Sequence, residues 1–163
     1  MQNITTPQPD TQQAGHIHLR SMQDKDLRAV YKLEKLSQPR PWPSWYFRKQ
    51  LRTSSCWVLE QQGMVIGFGI VAMVKDWAHI MNMCVAPGYR RRGLGRRIVL
   101  HLLQVAKRQH ARHAWLEVRP TNNPAISLYR KMGFRKIQIR KNYYVIPSGK
   151  ENAIVMVRRL DGK

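Results

Sequence analysis

Acidic residues are scarce in this sequence. Nine Asp and Glu residues stand against 29 Lys and Arg residues, so the formal net charge is +20 and the pI is near 11.0. A field of this sign attracts polyanions and repels basic ligands over long distances. The composition therefore favours a partner that carries phosphate groups.

Cysteines are also few, and they are not paired in sequence. Cys56 and Cys84 form no C-x-x-C motif, and the six histidines, which include His16-x-His18 and His110-x-x-His113, form no H-E-x-x-H motif. These patterns favour a reduced, cytoplasmic protein without a disulfide framework. They predict no metal site.

Long apolar runs are missing as well. The longest run, Met64 to Val74, falls short of the ~20 residues that a membrane-spanning helix needs. The N-terminus lacks the basic start and apolar stretch of a secretory signal. We therefore expect no membrane attachment.

The length of 163 residues and the hydrophobic fraction of 43% fit one folded domain. Residues 1–14 are rich in Gln, Thr and Pro and are predicted to be a disordered lead-in, with a single domain over residues 15–163. A monomer is the expected state.

Hydrophobic periodicity predicts a mixed α/β fold. The front half is expected to be largely antiparallel, with a β-α-β crossover at the centre of the chain. The predicted strands are His16–Arg20, Cys56–Glu60, Met64–Val74, Trp77–Val85, His113–Arg119, Phe134–Lys141 and Ala153–Leu160. The predicted helices are Asp24–Leu36 with Asp24 as N-cap, Ser44–Leu51, Gly93–His110, and one that Asn122 caps and Gly133 ends.

A glycine-rich loop joins the central strand to the helix that follows. It reads Pro87-Gly88-Tyr89-Arg90-Arg91-Arg92-Gly93-Leu94-Gly95-Arg96-Arg97. The first turn of a helix is electropositive and leaves backbone N–H groups without partners, and glycine lets a ligand approach the backbone. The stretch therefore predicts a site for a phosphate-bearing ligand. The alternative is a glycine-punctuated turn before a solvated basic helix.

Several segments together resemble one known family. They are Arg90-x-x-Gly93-x-Gly95, Trp115-Leu116-Glu117-Val118-Arg119, Asn122-x-x-Ala125-Ile126-x-Leu128-Tyr129, Gly133-Phe134 and Arg140-x-Asn142-Tyr143-Tyr144. This set resembles the GNAT superfamily of N-acetyltransferases, and within it the RimI type, which acetylates the N-terminal alanine of a small-subunit ribosomal protein. The triple-arginine loop and the Pro-Trp-Pro-Ser-Trp segment depart from that type.

The resemblance implies a GNAT fold, in which a mixed, mostly antiparallel sheet contains a β-α-β core that binds acetyl-CoA as co-substrate. It implies that Met83, Cys84 and Val85 contact the pantetheine arm through their backbone and that Asn122 touches the coenzyme. The pyrophosphate would be held by Arg91, Arg92, Gly93, Leu94, Gly95 and Arg96. Tyr143 and Tyr144 are candidates for gripping the acceptor peptide.

Trp42, Trp45, Tyr46 and Phe47 lie in a proline-rich break after the first predicted helix. In the superfamily this region helps to form the wall of the acceptor groove. Any one of these aromatic residues is more often part of the core, so both interpretations stay open.

Two residues match the proton carriers of the family. Glu117 matches the general base, acting directly or through water, and Tyr129 the general acid that protonates the leaving sulfur. From the residues alone, Glu117 would be a solvated or salt-bridged carboxylate and Tyr129 a core residue. A backbone N–H of the Met83–Val85 strand is the expected oxyanion donor. Cys84 is rejected as a nucleophile, because no histidine lies near it in sequence to activate the thiol.

The predicted function is acetyl transfer from acetyl-CoA to a protein N-terminus. Alternatives are a lysine or small-amine acceptor, and an RNA- or ribosome-associated binding module on the same scaffold. Because a +20 protein repels a free basic tail, either an acidic patch of Asp24, Asp26 and Glu34 receives the acceptor or a basic surface docks on RNA. That basic surface comprises Arg90–Arg92, Arg96, Arg97, Arg130, Lys131, Arg135 and Lys136.

Overall fold

A computed structural model describes residues 15–161, so the predicted lead-in over residues 1–14 lies outside the described residues. The strands are β1 (Ile17–Ser21), β2 (Ser55–Gln61), β3 (Met64–Val74), β4 (Trp77–Val85), β5 (His113–Val118), β6 (Arg135–Ile146) and β7 (Gly149–Arg159). The helices are α1 (Leu27–Ser37), α2 (Ser44–Thr53), α3 (Leu94–Arg108) and α4 (Asn123–Lys131). No helix within residues 15–161 is long and apolar enough to cross a membrane.

The seven strands form one sheet in the order β1-β2-β3-β4-β5-β7-β6. Neighbouring strands are antiparallel except β4 and β5, which run parallel because α3 carries the chain back across the sheet between them. The predicted fold class, a mostly antiparallel mixed sheet with a central β-α-β unit, is confirmed.

Each face of the sheet has its own hydrophobic core. One core joins α3 and α4 to the central strands and includes Ile98, Leu102, Leu116 and Phe134. The other joins α1 and α2 to the front strands and includes Val30, Phe47, Phe68 and Ile70. The helices are amphipathic because their apolar residues recur at helical spacing, and each buries that side against one face of the sheet.

The start of α1 differs from the prediction. Asp24 is not the N-cap, since a short 3-10 turn over Asp24–Asp26 precedes the helix and Gln23 caps that turn. Asp26 is buried and accepts hydrogen bonds from the guanidinium of Arg20 at 2.7 and 2.8 Å. The turn is therefore held to β1 by a partly buried ion pair.

This burial also overturns the predicted acidic patch. Asp26 is 4% exposed and Glu34 is 1% exposed, so neither carboxylate lies on the surface. Each is buried because it has specific hydrogen-bond donors, which offset the loss of hydration. A basic tail has no acidic surface cluster to meet at this place.

The last two strands are longer than the periodicity indicates. β6 and β7 form a hairpin that turns at Pro147-Ser148, with register shifts between Lys136 and Gln138 and between Arg140 and Tyr144. β6 is the edge strand and is largely exposed, so the alternation that marks a half-buried strand is weak along it. Its irregular middle lies next to β7 and supplies side chains to the site.

Candidate active site

The site begins where two parallel strands separate. β4 and β5 pair only through Trp77–His113, Ala78–Ala114 and His79–Trp115. Beyond these pairs β5 stays hydrogen-bonded to β7 on its other side, and β4 stays bonded to β3. The facing edges of β4 and β5 are therefore open toward their carboxyl ends.

A β-bulge in β4 accompanies this opening. Ile70 of β3 pairs with Asn82 and Val71 pairs with Ile80, which leaves Met81 as the extra residue. A bulge bends its strand and changes which face the following side chains take. As a result the amide of Asn82 points to α1, where it donates to Glu34.

A cavity of about 160 Å³ lies at the opening between the two strands. Its walls come from α1 and the segment after it, from β4, β5 and α4, and from β6. The lining residues are Glu34, Gln38, Arg40, Trp42, Ile80, Met81, Asn82, Met83, Leu116, Glu117, Val118, Arg119, Asn122, Ala125, Tyr129 and Tyr144.

Glu117 extends from β5 into this cavity and is fully partnered. His79 Nε2 lies 2.6 Å from its Oε2, and the Arg140 guanidinium donates to its Oε1 at 2.9 Å. Burial acts to raise the pKa of Glu117, but the His79 hydrogen bond and the charges of His79 and Arg140 outweigh it, so this pKa lies below its ordinary value. Glu117 is consequently ionised at neutral pH, and it is also the salt-bridged residue that the residues alone suggested.

Tyr129 reaches the same cavity from α4. Its ring is 7% exposed and packs edge-on against Phe134 at 5.9 Å between centroids, so it belongs to the core as well. Burial raises its pKa to about 12. The hydroxyl therefore keeps its proton across the physiological range.

The two tyrosines predicted to grip the acceptor take different places on β6. Tyr144 lines the cavity, and burial raises its pKa. Tyr143 is 43% exposed and lies against the guanidinium of Arg140, 5.6 Å from the ring centroid. Of the two tyrosines, only Tyr144 lines the cavity, whereas Tyr143 contacts Arg140 at the edge of the cavity.

A second carboxylate lines the cavity opposite β5. Glu34 of α1 accepts hydrogen bonds from the backbone N–H of Trp42 and from the Asn82 amide, both at 3.1 Å. Burial nevertheless raises its pKa above the ordinary value. Glu34 and Glu117 are the two acidic residues of the cavity wall, which also carries Arg40 and Arg119.

The glycine-rich loop leads into the first turn of α3. Gly93 is the N-cap, with φ +74°, and no side chain caps the helix, so the first backbone N–H groups of α3 are available to a ligand. Leu94 is buried between Leu59 and Ile66, and only its backbone can serve a ligand. A Cβ added at Gly95 would lie 3.3 Å from Leu128 and 3.6 Å from Met83, which shows how closely α3, α4 and β4 approach there.

The three β4 residues predicted to contact the coenzyme differ in side-chain direction. Met83 lines the cavity. Cys84 points to the other face of the sheet, where its thiol lies 2.9 Å from the Ser37 hydroxyl, and burial raises its pKa. This inert thiol agrees with the rejection of Cys84 as a nucleophile. The Val85 carbonyl already accepts a hydrogen bond from Arg90 at 3.0 Å, which ties the loop to the strand end.

Asn122 is both a helix cap and a residue of the cavity wall. Its side-chain oxygen accepts from the Ala125 N–H at 3.3 Å and caps α4, as predicted. The residue also lines the cavity, where its amide nitrogen can still donate. Arg91, Arg92 and Arg96 are exposed around the loop, and Arg91 has a φ of 63°.

The aromatic segment divides between core and site. Phe47 is buried, Trp42 lines the cavity, and Trp45 is 63% exposed. Trp42 packs edge-on against Tyr46 at 4.7 Å between centroids. Phe47 is therefore a core residue and Trp42 faces the cavity, while a role of this segment in the acceptor groove stays a prediction.

Sequence reasoning missed several partners of the predicted residues. The most important are His79 and Arg140, which hold Glu117, and Asn82, which holds Glu34. Alternation along β4 and β5 does put His79 and Glu117 on the less buried face of their strands. Their contact depends on strand register, which the pattern does not determine.

Comparisons with known proteins agree with this geometry. Residues 26–134 match the family model described as "Acetyltransferase (GNAT) family". The chain is 37% identical over 137 residues to the [ribosomal protein bS18]-alanine N-acetyltransferase of Escherichia coli K12, covering 83% of this chain and 93% of that protein.

Solved structures show the same fold. The ribosomal-protein-S18-alanine N-acetyltransferase from Escherichia coli superposes with a TM-score of 0.83 at 34% identity, covering 91% of this chain and 96% of that one. The Arabidopsis thaliana NAA60 complex with acetyl-CoA superposes with a TM-score of 0.83 at 20% identity, covering 90% and 100%, and this likeness shows the fold alone. The protein belongs to the GNAT family of acetyltransferases.

Proposed function

We propose that this protein transfers the acetyl group of acetyl-CoA to the N-terminal α-amine of a ribosomal protein, with the alanine of bS18 as acceptor. The observation that carries the proposal is the placement of Glu117 and Tyr129 on the wall of one cavity at the open edge of β4. The name of the 37% identical relative supports the acceptor. Work on a ribosomal protein implies the cytoplasm, where ribosomes are.

The donor would lie along the opening between β4 and β5. Pantetheine contains amide groups, and an open strand edge offers backbone partners as it would to an added strand. The N–H groups at the start of α3, with Arg91, Arg92 and Arg96 around them, fit the pyrophosphate. The Arabidopsis NAA60 structure has acetyl-CoA as its ligand on this fold.

The acceptor would enter between α1 and β6. A free α-amine ordinarily has a pKa of about 7.7–8.0, so near neutral pH much of it arrives as an ammonium. Glu117, which is ionised on the cavity wall, can contact that ammonium. Glu117 then removes one proton, directly or through water, and the free amine attacks the thioester carbonyl.

The remaining steps need a donor to the oxyanion and a proton for the leaving thiolate. A backbone N–H of Met83–Val85 is suited to the first, since it belongs to a rigid strand at the cavity wall. Tyr129 is suited to the second, because its raised pKa keeps the hydroxyl protonated until the thiolate forms. The nitrogen loses its remaining extra proton as the C–S bond breaks, and that proton restores the Tyr129 hydroxyl.

Product analysis with a panel of acceptors tests this function. The purified protein is incubated with acetyl-CoA and with peptides that begin with Ala, Ser or Met. A further peptide has an acetyl-blocked N-terminus followed by lysines. Mass spectrometry should find one acetyl group on the α-amine of the Ala peptide. Acetylation of the blocked, lysine-bearing peptide at an equal rate would contradict the proposed acceptor.

We also propose that exposed basic groups dock the enzyme on RNA. All nine residues of the predicted basic surface are exposed, and none forms a salt bridge within residues 15–161. They form two groups rather than one. Because α3 and α4 both start at the carboxyl ends of parallel strands, the start of α3 and the end of α4 lie at opposite ends of the helix layer. Arg90–Arg97 lie at the site, whereas Arg130, Lys131, Arg135 and Lys136, here called the distal group, lie at the opposite end of the helix layer.

A further inference from the structure

His79 is the side chain next to the site that the mechanism above leaves without a role. Its Nε2 lies 2.6 Å from Oε2 of Glu117. An ionised carboxylate has no proton to give, so the imidazole is the donor in this hydrogen bond. Glu117 lines the cavity with a side chain that is 6% exposed, whereas His79 lies outside the cavity wall and is 20% exposed. His79 therefore contacts the carboxylate from outside the cavity.

The ring of His79 is fixed by stacking. It lies parallel to Trp115, with 4.5 Å between centroids and an angle of 5° between planes. Trp115 meets Trp77 edge-on, and Trp77 stacks on His113 at 4.4 Å, so the four rings form one row along β4 and β5. His79 and Trp115 are also the last pair that joins the two strands before they separate. A ring held in this way keeps its Nε2 directed at Glu117.

We propose that His79 is a positioning residue for Glu117, holding the carboxylate ionised and aimed into the cavity. The inference rests on the proposed role of Glu117 as the general base.

The arrangement of partners around Glu117 supports a positioning role for His79. Arg140 occupies the other carboxylate oxygen, but its side chain is 44% exposed on an edge strand and its charge is constant. A positive imidazolium makes Glu117 a weaker base, while a neutral imidazole keeps the hydrogen bond and lets the carboxylate accept a proton more readily.

The other groups that face His79 and Glu117 are an arginine, two tyrosines, a glutamate and apolar residues. β6 contributes Arg140, Tyr143 and Tyr144, and the pKa values of both tyrosines are raised, first by burial and then in part by the charge of Glu117. The strands that flank the pair oppose it with Ala72 of β3 and Val155 of β7, which do not titrate. Glu34 of α1 lines the same cavity. Within hydrogen-bond distance, Glu117 is thus held by His79 of the central strand β4 and by Arg140 of the edge strand β6.

Two substitutions at position 79 separate positioning from charge. His79→Phe keeps a ring to stack on Trp115 but removes the donor and the charge. His79→Gln keeps an N–H donor and removes the charge together with the ring that stacks on Trp115. His113→Phe is the matched control, because His113 stacks in the same row and does not contact Glu117. All three are assayed for kcat between pH 5.5 and 9 with one Ala-initiated peptide and saturating acetyl-CoA, after thermal melts show that each is folded.

His79→Phe should lose activity by about tenfold or more at the plateau, on the scale expected for a slightly misplaced reacting group. The acid limb of its pH profile, where kcat falls as the pH decreases, should move to higher pH. Burial continues to raise the pKa of Glu117 after the His79 hydrogen bond and charge are gone. His79→Gln should recover most of the plateau rate while its acid limb stays above that of the unmodified enzyme. The affinity for acetyl-CoA should change in neither variant.

A His79→Phe profile that coincides with the His113→Phe profile would overturn the inference, as would equal losses in both position-79 variants without a shift of the acid limb. Glu117→Gln separates this failure from failure of the proposed function. If Glu117→Gln keeps full activity, Glu117 is not the base. If Glu117→Gln is inactive while His79→Phe behaves as the control does, only the role of His79 is wrong.

Discussion

Tyr129 illustrates how one side chain can serve the core and the site together. Its ring fills a place between α4 and the sheet, against Phe134, while its hydroxyl end reaches the cavity. Removing the hydroxyl leaves the ring packing in place. The packing and the proposed acid role can therefore be separated by a single atom.

Tyr129→Phe should lower turnover by about 10²-fold or more, the usual scale for loss of a general acid. Acetyl-CoA affinity and the melting temperature should stay close to those of the unmodified enzyme, as measured by calorimetry and thermal melts. Tyr31→Phe is the matched control, since Tyr31 packs beside the other core, away from the cavity. Full activity in Tyr129→Phe would make the tyrosine a core residue only.

The pH profile gives a second check on this residue. Because the pKa of Tyr129 is raised to about 12, the acid form persists throughout the range in which the enzyme can be assayed. A fall in kcat between pH 8 and 10 that Tyr129→Phe abolishes would show that the hydroxyl titrates far lower than its burial predicts.

At the scale of elements, the site forms where the open edge of β4 meets the start of α3. The open edge of β4 supplies backbone groups, and the start of α3 supplies N–H groups that no side chain caps. Gly95 lies where these two parts approach α4, because its missing Cβ would contact Leu128 and Met83. The flexible ends of those side chains can move, so a larger residue there should fold but obstruct the donor.

Gly95→Val should reduce acetyl-CoA affinity by at least about tenfold and remove the rise in melting temperature that a ligand selective for the folded state produces. Gly88→Val is the matched control, since a Cβ at Gly88 meets no atom within 4 Å and its φ is not positive. Differential scanning fluorimetry with and without acetyl-CoA measures both. An unchanged thermal shift in a folded Gly95→Val protein would contradict the donor site.

At the scale of the whole molecule, the charge of +20 is the feature that acetyl transfer leaves unexplained. Arginines near the loop serve a phosphate-bearing donor, but the distal group lies at the far end of the helices. Since no acidic patch of Asp24, Asp26 and Glu34 compensates it, a free basic tail would be repelled at long range. Docking on RNA would bring such an acceptor close despite the repulsion.

Binding to unrelated RNAs should be measurable by fluorescence anisotropy at about 50 mM salt and fall steeply by about 200 mM, because bound counterions are released. Replacing Arg130, Lys131, Arg135 and Lys136 with Gln should weaken it more than replacing Lys25, Arg28, Lys32 and Lys35, which removes the same charge from the α1 side. Neither variant should change acetylation of a free peptide. Absence of RNA binding at the lower salt, or equal effects of both sets, would refute docking through the distal group.

The sequence by itself determined the elements and the family. Strands and helices follow from local periodicity, the glycine loop and the Asn122 cap follow from local backbone chemistry, and the RimI-type segments carry Glu117 and Tyr129. Only the tertiary structure decided which side chains meet. His79 and Glu117 are 38 residues apart and touch because β4 and β5 pair in one register and then separate. Asp26 and Glu34, expected on the surface, are buried because β1 brings Arg20 to Asp26 and β4 brings Asn82 to Glu34. Such contacts depend on long-range register and packing, which no local pattern encodes.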